Sequence, residues 1–271
     1  MDLLHIVLLL AAGAATGFLA GFFGVGGGII LVPILLWFFT GPLGISALVA
    51  THLTFGTSLL VVIFASLTSG LQYSKNGHVV WKAVVFIGLA SILGALGGTT
   101  IAASLQGKTL QKIFAFVVAV AAIRLLLEST RSAGEQAMRL APAGLAGIGL
   151  ITGAVSSLAG VGGGVFSIPM MYHFMRFPLK KALGTSSATI VITATAAMLG
   201  YVVQGWGEPL MENYRGFTLG YVDYLHALPI IAGTLPFARL GATTAHKTHA
   251  DRLRTLYGVF LLVIAVKMFF F

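Results

Sequence analysis

Residues 17–33 read GFLAGFFGVGGGIILVP, and residues 153–169, in the other half of the chain, read GAVSSLAGVGGGVFSIP. Each copy carries the same Gly-Val-Gly-Gly-Gly run inside apolar sequence. Successive glycines are unfavourable in a helix, by roughly 1 kcal/mol each relative to alanine. The duplication therefore predicts two helices that are broken at equivalent places, as in transporters built from two repeats.

The composition predicts an integral membrane protein. Of 271 residues, 58% are hydrophobic and 8% are charged, and the mean hydropathy is +0.99. So little polar surface cannot cover a water-soluble protein of this size. The net charge of +9 comes from Lys and Arg in short loops, a distribution typical of membrane topology, so we expect no nucleic-acid partner. The chain has no cysteine, which excludes disulfides and thiolate chemistry.

The apolar runs predict about eight full transmembrane helices and two half-helices. A span needs about 20 apolar residues, and runs of this length lie near 3–23, 46–69, 80–103, 110–128, 139–160, 182–204, 222–246 and 253–271. Two shorter runs, 29–39 and 165–175, directly follow the glycines. We expect two repeats, 1–130 and 137–271, that together form one transport domain.

Loop charge predicts that the two repeats are inverted. If each half-helix returns the chain to the side from which it came, 11 Lys and Arg residues share one face and 4 share the other. The larger group is Lys75, Lys82, Arg124, Arg131, Arg139, Arg176, Lys180, Lys181, Lys247, Arg252 and Arg254, and the smaller is Lys108, Lys112, Arg215 and Lys267. Because cytoplasmic loops are enriched in these residues, we expect both termini on the non-cytoplasmic side.

The glycine breaks are the first candidate for an anion site. They comprise Gly26, Gly27 and Gly28 in one half and Gly162, Gly163 and Gly164 in the other. The helix that follows each break presents free N–H groups and the positive end of its dipole toward the break, which favours an anion. The alternative is close helix packing through small residues, which we expect for the isolated pairs Gly13/Gly17 and Gly94/Gly98.

Polar residues at the start of the next helices extend this candidate site. We align Thr51 and His52 of the first half with Thr185 and Ser186 of the second, followed by Ser187. Hydroxyl and N–H groups can hold an oxyanion without a full positive charge. The alternatives are hydroxyls bonded back to helix carbonyls, and a His52 that packs between helices or carries protons.

Arg239 is the one basic residue predicted well inside a span. An intramembrane charge is by default a functional-site candidate, so we include Arg239 in the anion site. The alternatives are a side chain that reaches the membrane interface or one that pairs with Asp223. The first half has Val80 where the second has Asp223, so any role of this acid belongs to one half.

The chain resembles the TauE/SafE sulfite exporter family of small membrane transporters. The resemblance rests on the paired Gly-x-Gly-Gly-Gly-x-x-x-x-Pro elements, the Thr-containing steps that open the next helices, and the segment around Val222 and Asp223. It covers nearly the whole chain. Membership implies export of small sulfur-containing anions such as sulfite or C2 sulfonates.

We therefore expect an all-helical secondary transporter that exports sulfite, sulfoacetate or a related sulfonate across the inner membrane by alternating access. The alternatives are an anion channel and an importer of another small organic anion. We expect no enzyme and no cofactor, because paired intramembrane acids, His-x-x-x-His and Gly-x-Ser-x-Gly are absent from the sequence. The lipid bilayer and a small anion are the expected partners, and a homodimer and coupling to protons stay open as alternatives.

Overall fold

The computed structural model describes residues 3–104, 138–207 and 217–270, together with Phe116, Ala119, Ala122, Ile123 and Leu126. The predicted span near 110–128 lies outside the described residues apart from those five. The helices are α1 (Leu3–Phe23), α2 (Gly28–Thr40), α3 (Ala47–Lys75), α4 (Trp81–Ser104), α5 (Pro142–Ala159), α6 (Gly164–His173), α7 (Leu179–Gln204), α8 (Tyr224–Lys247) and α9 (Ala250–Phe270). Two short antiparallel strands, β1 (Thr218–Leu219) and β2 (Val222–Asp223), precede α8.

Six of the described helices are long and apolar enough to cross a membrane. They are α1, most of α3 and α4, α5, α7 and α8. Their outward faces carry exposed leucine, valine and phenylalanine, for example Leu93 and Leu228. Lipid accommodates such a surface and water does not. The chain is therefore an all-α, multi-pass membrane protein, whereas the count of eight spans and the repeat boundaries stay predictions.

The two glycine-led helices fold back along the helices that precede them. The helix α2 has 13 residues and α6 has 10, so each is at most about 20 Å long and too short to span. The ring of His5, at the start of α1, lies 5.6 Å from the ring of Phe38, near the end of α2. In the second half, the N–H of Arg139 donates to the carbonyl of Met175, at 2.9 Å. Each pair thus returns the chain to the side from which it came.

Glycines form the closest contacts between long helices. A Cβ built on Gly13, Gly17 or Gly21 of α1 would lie 2.0–2.5 Å from a carbonyl oxygen of α8. A Cβ on Gly94 or Gly98 of α4 would lie 2.1 and 2.6 Å from carbonyl oxygens of α5. Positions rise together along both members of each pair, so the paired helices are parallel. The predicted packing role of these small-residue pairs is confirmed.

The two halves repeat the same contacts in opposite directions. The hydroxyl of Tyr73, near the end of α3, donates to the carbonyl of Gly21, near the end of α1, at 3.0 Å. The hydroxyl of Tyr201, near the end of α7, donates to the carbonyl of Ser157, near the end of α5, at 2.7 Å. Consequently α1, α3 and α8 run one way, and α4, α5 and α7 run the other. These are the contacts that inverted repeats would make.

Candidate functional site

Each glycine break is a short left-handed segment that ends one helix and begins another. The φ angles are +65°, +81° and +81° at Gly24, Gly26 and Gly27, and between +66° and +85° at the equivalent glycines 160, 162 and 163. Residues with a Cβ rarely adopt this conformation. Gly27 and Gly163 are the N-cap residues of α2 and α6, and neither has a side chain that could accept a hydrogen bond from the first turn.

The two breaks lie directly against each other. A Cβ on Gly28 would lie 2.7 Å from the carbonyl oxygen of Gly160 and from the Cα of Val161. A Cβ on Gly164 would lie 2.7 Å from the Cα of Val25. The first residue of each short helix is therefore in contact with the backbone of the opposite break. Two positive helix ends thus lie at the same interface.

Two aliphatic side chains cover this meeting point. Val62 lies near the middle of α3 and Ile190 near the middle of α7, and both are buried. The Cβ position of Gly26 is 2.8 Å from Val62 Cγ1 and 3.3 Å from Ile190 Cγ2. The Cβ position of Gly162 is 2.6 and 2.9 Å from the same two atoms. The breaks thus sit at the level of the centres of the two long helices.

Serine hydroxyls hold each break from the opposite half. Ser58 of α3 donates to the carbonyl of Gly160, at 2.9 Å. Ser186 of α7 donates to the carbonyl of Gly24, at 3.1 Å, and also lies 2.9 Å from the hydroxyl of Ser167 in α6. All these groups are buried. The carbonyls at the end of α1 and α5 are thereby satisfied across the interface between the halves.

The threonines before these serines also form hydrogen bonds with the opposite half. We call these serine and threonine contacts together the interlock. Thr57 accepts a hydrogen bond from the N–H of Asp223, at 2.9 Å, and Thr185 accepts one from the N–H of Val80, at 3.0 Å. Gly56 and Gly184 let the same connections approach: their Cβ positions lie 2.1 and 2.4 Å from carbonyl oxygens of those segments. A Gly-Thr-Ser sequence therefore performs one structural task in α3 and again in α7.

This geometry corrects the alignment of Thr51 and His52 with Thr185 and Ser186. The hydroxyl of Thr51 donates to its own helix, to Ala47 at 2.8 Å. The ring of His52 is buried, with Nε2 3.3 Å from the carbonyl of Ala102. The counterparts of Thr185 and Ser186 lie six residues further along α3, because α3 has more residues than α7 before this point. The identical Gly-Thr-Ser tripeptide was the signal that would have found them.

Arg239 lies on the exposed face of α8, and the structure does not bring it to the breaks. Its neighbour Ala238 is the residue that packs inward, against Gly21. Asp223, the N-cap residue of α8, is 16 positions earlier, about 24 Å away at 1.5 Å per residue. Oδ1 of Asp223 accepts from the N–H of His226, and Oδ2 lies 2.5 Å from Nδ1 of the same residue. Arg239 is therefore placed to face lipid or the interface, and it does not pair with Asp223.

The other predicted site residues do come together. Glycines 26–28 and 162–164 form the joined breaks, and Thr185 and Ser186 are part of the interlock described above. Ser187 is the next residue of α7, and its hydroxyl is buried. Within the part of the chain that the structure describes, five buried hydroxyls have no hydrogen-bond partner: Thr54, Ser66, Thr152, Ser156 and Ser187.

Three of these residues, Ser66, Thr152 and Ser156, lie beside the breaks and were missed in the sequence. The Oγ of Ser66 lies 3.1 Å from the Cβ position of Gly26. On α5, Cγ2 of Thr152 and Cβ of Ser156, one turn apart, lie 2.4 and 3.4 Å from the Cβ position of Gly163. A buried hydroxyl without a partner is costly, and these three groups have hydrogen-bonding capacity that no described protein atom uses.

The hydroxyls are distributed unequally between the halves. Gly27 contacts Thr16 and Ala20 of α1 where Gly163 contacts Thr152 and Ser156 of α5. The hydroxyl of Thr16 donates to the carbonyl of Ala12, at 2.7 Å, and alanine has no hydroxyl. The open hydrogen-bonding capacity on the helix before the break therefore lies in the second half.

A basic cluster lies at one end of the bundle. Nε2 of His78, in the α3–α4 connection, is 2.9 Å from Nδ1 of His246, and Lys180 donates to the carbonyl of His246 at 2.6 Å. Partial burial, followed by the positive charges of His246, Lys180 and Lys181, lowers the pKa of His78 from its ordinary value of 6.5. Among the described residues, no group of three His, Asp or Glu side chains could hold a metal ion.

Comparison with known proteins agrees with this architecture. The chain is 32% identical over 265 residues to a probable membrane transporter protein of Haemophilus influenzae, covering 97% of this chain and 98% of the relative. It is 29% identical to a probable membrane transporter protein of Methanocaldococcus jannaschii, over 98% of this chain and 96% of the relative. No solved structure matches the chain.

The family model described as "Sulfite exporter TauE/SafE" matches residues 9–268. The match spans both glycine breaks, both Gly-Thr-Ser segments and the connection that carries Asp223. The chain belongs to the TauE/SafE sulfite exporter family of membrane transporters.

Proposed function

We propose that this protein is a secondary transporter that exports a small sulfur-containing anion, such as sulfite, sulfoacetate or a related C2 sulfonate, across the inner membrane by alternating access. The observation that carries the proposal is the contact of the first residue of α2 and of α6 with the opposite break, beside residues whose buried hydroxyls have no partner in the described structure. The family description, which names sulfite export, supports the choice of substrate class.

The chemistry of the site favours a weakly held oxyanion. Helix N-termini and hydroxyls donate hydrogen bonds to anions, and the side chains that surround the breaks, Val62, Ser66, Ser156 and Ile190, are uncharged. A sulfonate or sulfite group offers three oxygens to such donors. Binding without a salt bridge leaves the anion free to dissociate on the other side, as turnover requires.

Alternating access accounts for the aliphatic cover. Val62 and Ile190 pack against both breaks. An anion therefore reaches the donors only when α3 and α7 move relative to the helix pairs α1–α2 and α5–α6. A channel would need a continuous path past these side chains. Saturable exchange of labelled sulfite in proteoliposomes would support a carrier, and unitary currents would support the channel instead.

The sharpest test replaces hydroxyls that have no partner. Ser156→Ala removes no hydrogen bond within the described protein, so its melting temperature in detergent should stay close to that of the wild type. If Ser156 binds the anion, the variant loses a hydrogen bond to a charged group, worth about 1.5–3 kcal/mol, or roughly 10- to 150-fold in affinity.

Ser157→Ala is the matched control. The neighbouring hydroxyl of Ser157 donates to the carbonyl of Gly153, at 3.1 Å, so its loss should leave sulfite exchange unchanged. Equal exchange rates and affinities in Ser156→Ala and the wild type would exclude Ser156 from the site. The same result in Ser66→Ala and Thr152→Ala as well would contradict the proposed location.

A further inference from the structure

A buried acid and imidazole lie at the start of α8, in the second half only. Asp223 is 0% exposed and His226 is 5% exposed. Oδ1 of Asp223 accepts from the N–H of His226, at 3.0 Å, and Oδ2 lies 2.5 Å from Nδ1 of the imidazole. A carboxylate can only accept, so whenever Asp223 is ionised Nδ1 is the donor of the second bond. The first bond caps the helix, and capping alone does not require the imidazole.

The equivalent place in the first half carries no ionisable group. Val80 donates its N–H to Thr185 as Asp223 donates its N–H to Thr57. Ala83 follows Val80 by three residues, as His226 follows Asp223. A valine and an alanine serve the fold at that position, so the architecture does not require the acid and the imidazole.

The pair contacts elements that lead to both breaks. The ring of His226 lies 5.2 Å from Phe38 and 6.1 Å from Phe39, at the end of α2, whose first residue belongs to the first break. Asp223 binds Thr57, and the next residue, Ser58, binds the carbonyl of Gly160 in the second break. A change in the pair is therefore connected to α2 and to α3, the two elements that position the breaks.

We propose that Asp223 and His226 form a proton site whose occupancy is linked to anion binding at the breaks. This inference rests on the proposed function. A proton taken up from water by the imidazole changes the net charge of the pair from −1 to 0, which removes a negative charge that opposes an incoming anion. Anion binding and proton uptake then favour each other, because linkage is reciprocal.

Other titratable side chains surround the pair and require controls. His5 of α1 lies 5.6 Å from the ring of Phe38. His52 of α3 lies 5.2 Å from the ring of Tyr221, two residues before Asp223, and Tyr224 follows directly. The described ring contacts of His226 with α2 are those with Phe38 and Phe39, and in β1 Thr218 pairs with Asp223.

The test measures proton uptake when the purified protein binds sulfoacetate, using a pH indicator in weak buffer, and the dissociation constant between pH 5 and 8. Sulfoacetate stays ionised over most of this range, so protons come from the protein. The wild type should take up about one proton per anion, and its affinity should rise about tenfold per pH unit of acidification within the titration window. Asp223→Asn and His226→Asn should abolish the uptake and flatten the pH profile.

Asparagine caps a helix as well as aspartate does, so Asp223→Asn should fold. Val80→Asn is the matched control in the first half. This variant should keep the wild-type pH profile of the dissociation constant, and so should His5→Gln and His52→Gln. Wild-type binding without proton uptake, or full uptake in both pair variants, would overturn the inference and leave the proposed function intact. A wild type that binds neither sulfoacetate nor sulfite at any pH would overturn both.

Discussion

Adding one methyl group at Gly162 should destabilise the protein by an amount that the structure predicts. The residue has a φ of +85°, and a Cβ there would lie 2.6 Å from Val62 Cγ1 and 2.9 Å from Ile190 Cγ2. A left-handed residue with a Cβ costs about 1–2 kcal/mol, and overpacking a buried site costs about 1–3 kcal/mol more. We expect Gly162→Ala to lower the free energy of unfolding by about 2–5 kcal/mol.

Gly77 separates these two costs. Its φ is +70°, and in the described structure nothing lies within 4 Å of its Cβ position. Gly77→Ala should therefore cost about 1–2 kcal/mol, the conformational part alone. Val62→Ala, combined with Gly162→Ala, removes the nearest atom, so the double variant should be more stable than the sum of the single effects. Because Ile190 Cγ2 stays at 2.9 Å, we expect partial recovery.

Equilibrium unfolding in mixed detergent micelles measures the stability of the four variants and the wild type, and sulfite exchange in proteoliposomes measures the activity of the site. Gly162→Ala should also slow exchange, because the methyl group lies between the break and the side chains of Val62 and Ile190 that cover it. Equal destabilisation by Gly162→Ala and Gly77→Ala would refute the crowding calculated from the structure. Additive effects of Val62→Ala and Gly162→Ala would refute the contact between these residues.

Three other predictions concern single residues. Ser58→Ala should lower the free energy of unfolding by about 1–3 kcal/mol, because the buried carbonyl of Gly160 loses its partner; a loss near zero in the same unfolding assay would contradict the interlock. The lowered pKa of His78 means that the unfolded chain binds a proton more readily than the folded one, so stability should fall as the pH drops below about 6.5. His78→Gln should remove that part of the decline. If the melting temperatures of the variant and the wild type change in parallel over pH 5–8, His78 does not contribute to the decline. Arg239→Gln should keep the full sulfite-induced rise in melting temperature, because the side chain lies on the exposed face of α8, and loss of that rise would return Arg239 to the site.

The breaks could be predicted from sequence because their cause is local. A left-handed backbone at Gly26, Gly27, Gly162 and Gly163 requires glycine regardless of what surrounds it. A run of glycines in apolar sequence is therefore visible before any tertiary contact is known. The membrane class follows from composition in the same way, and the family match agrees with the resemblance that the duplicated motif indicates.

The equivalence of α3 and α7 could not be read from their starting points. Aligning the first polar residues pairs Thr51 with Thr185, whereas the contacts pair Thr57 with Thr185. Where a helix begins is set by its connection, but which turn faces the break is set by the partner half. The tripeptide of residues 56–58 recurs at 184–186, and identity of sequence was a better guide than distance from the helix start.

The direction of single side chains was the least predictable feature. Arg239 and Ala238 are adjacent, and the packing of α8 on α1 decides that the alanine faces inward. Likewise, Ser156 and Ser157 are adjacent serines that the sequence does not distinguish. Among the described contacts, only Ser157 donates to a carbonyl of its own helix. A charge inside an apolar run shows that a residue is unusual, and the fold determines which way it points.

The parallel contact between α1 and α8 also constrains how the protein is made. The hydroxyl of Thr234 donates to the carbonyl of Gly13, 221 residues earlier in the chain, whereas Gly94 meets its equivalent partner at Leu150. During synthesis, α4 and α5 can therefore associate while later segments are still on the ribosome, but the glycine face of α1 must wait in the lipid until α8 is inserted. The helix α1 thus enters the membrane before α8, and its glycine face is covered only when α8 arrives. A nascent chain halted before residue 224 presents that uncovered face to other chains, where it invites mispairing and recognition by quality-control proteases.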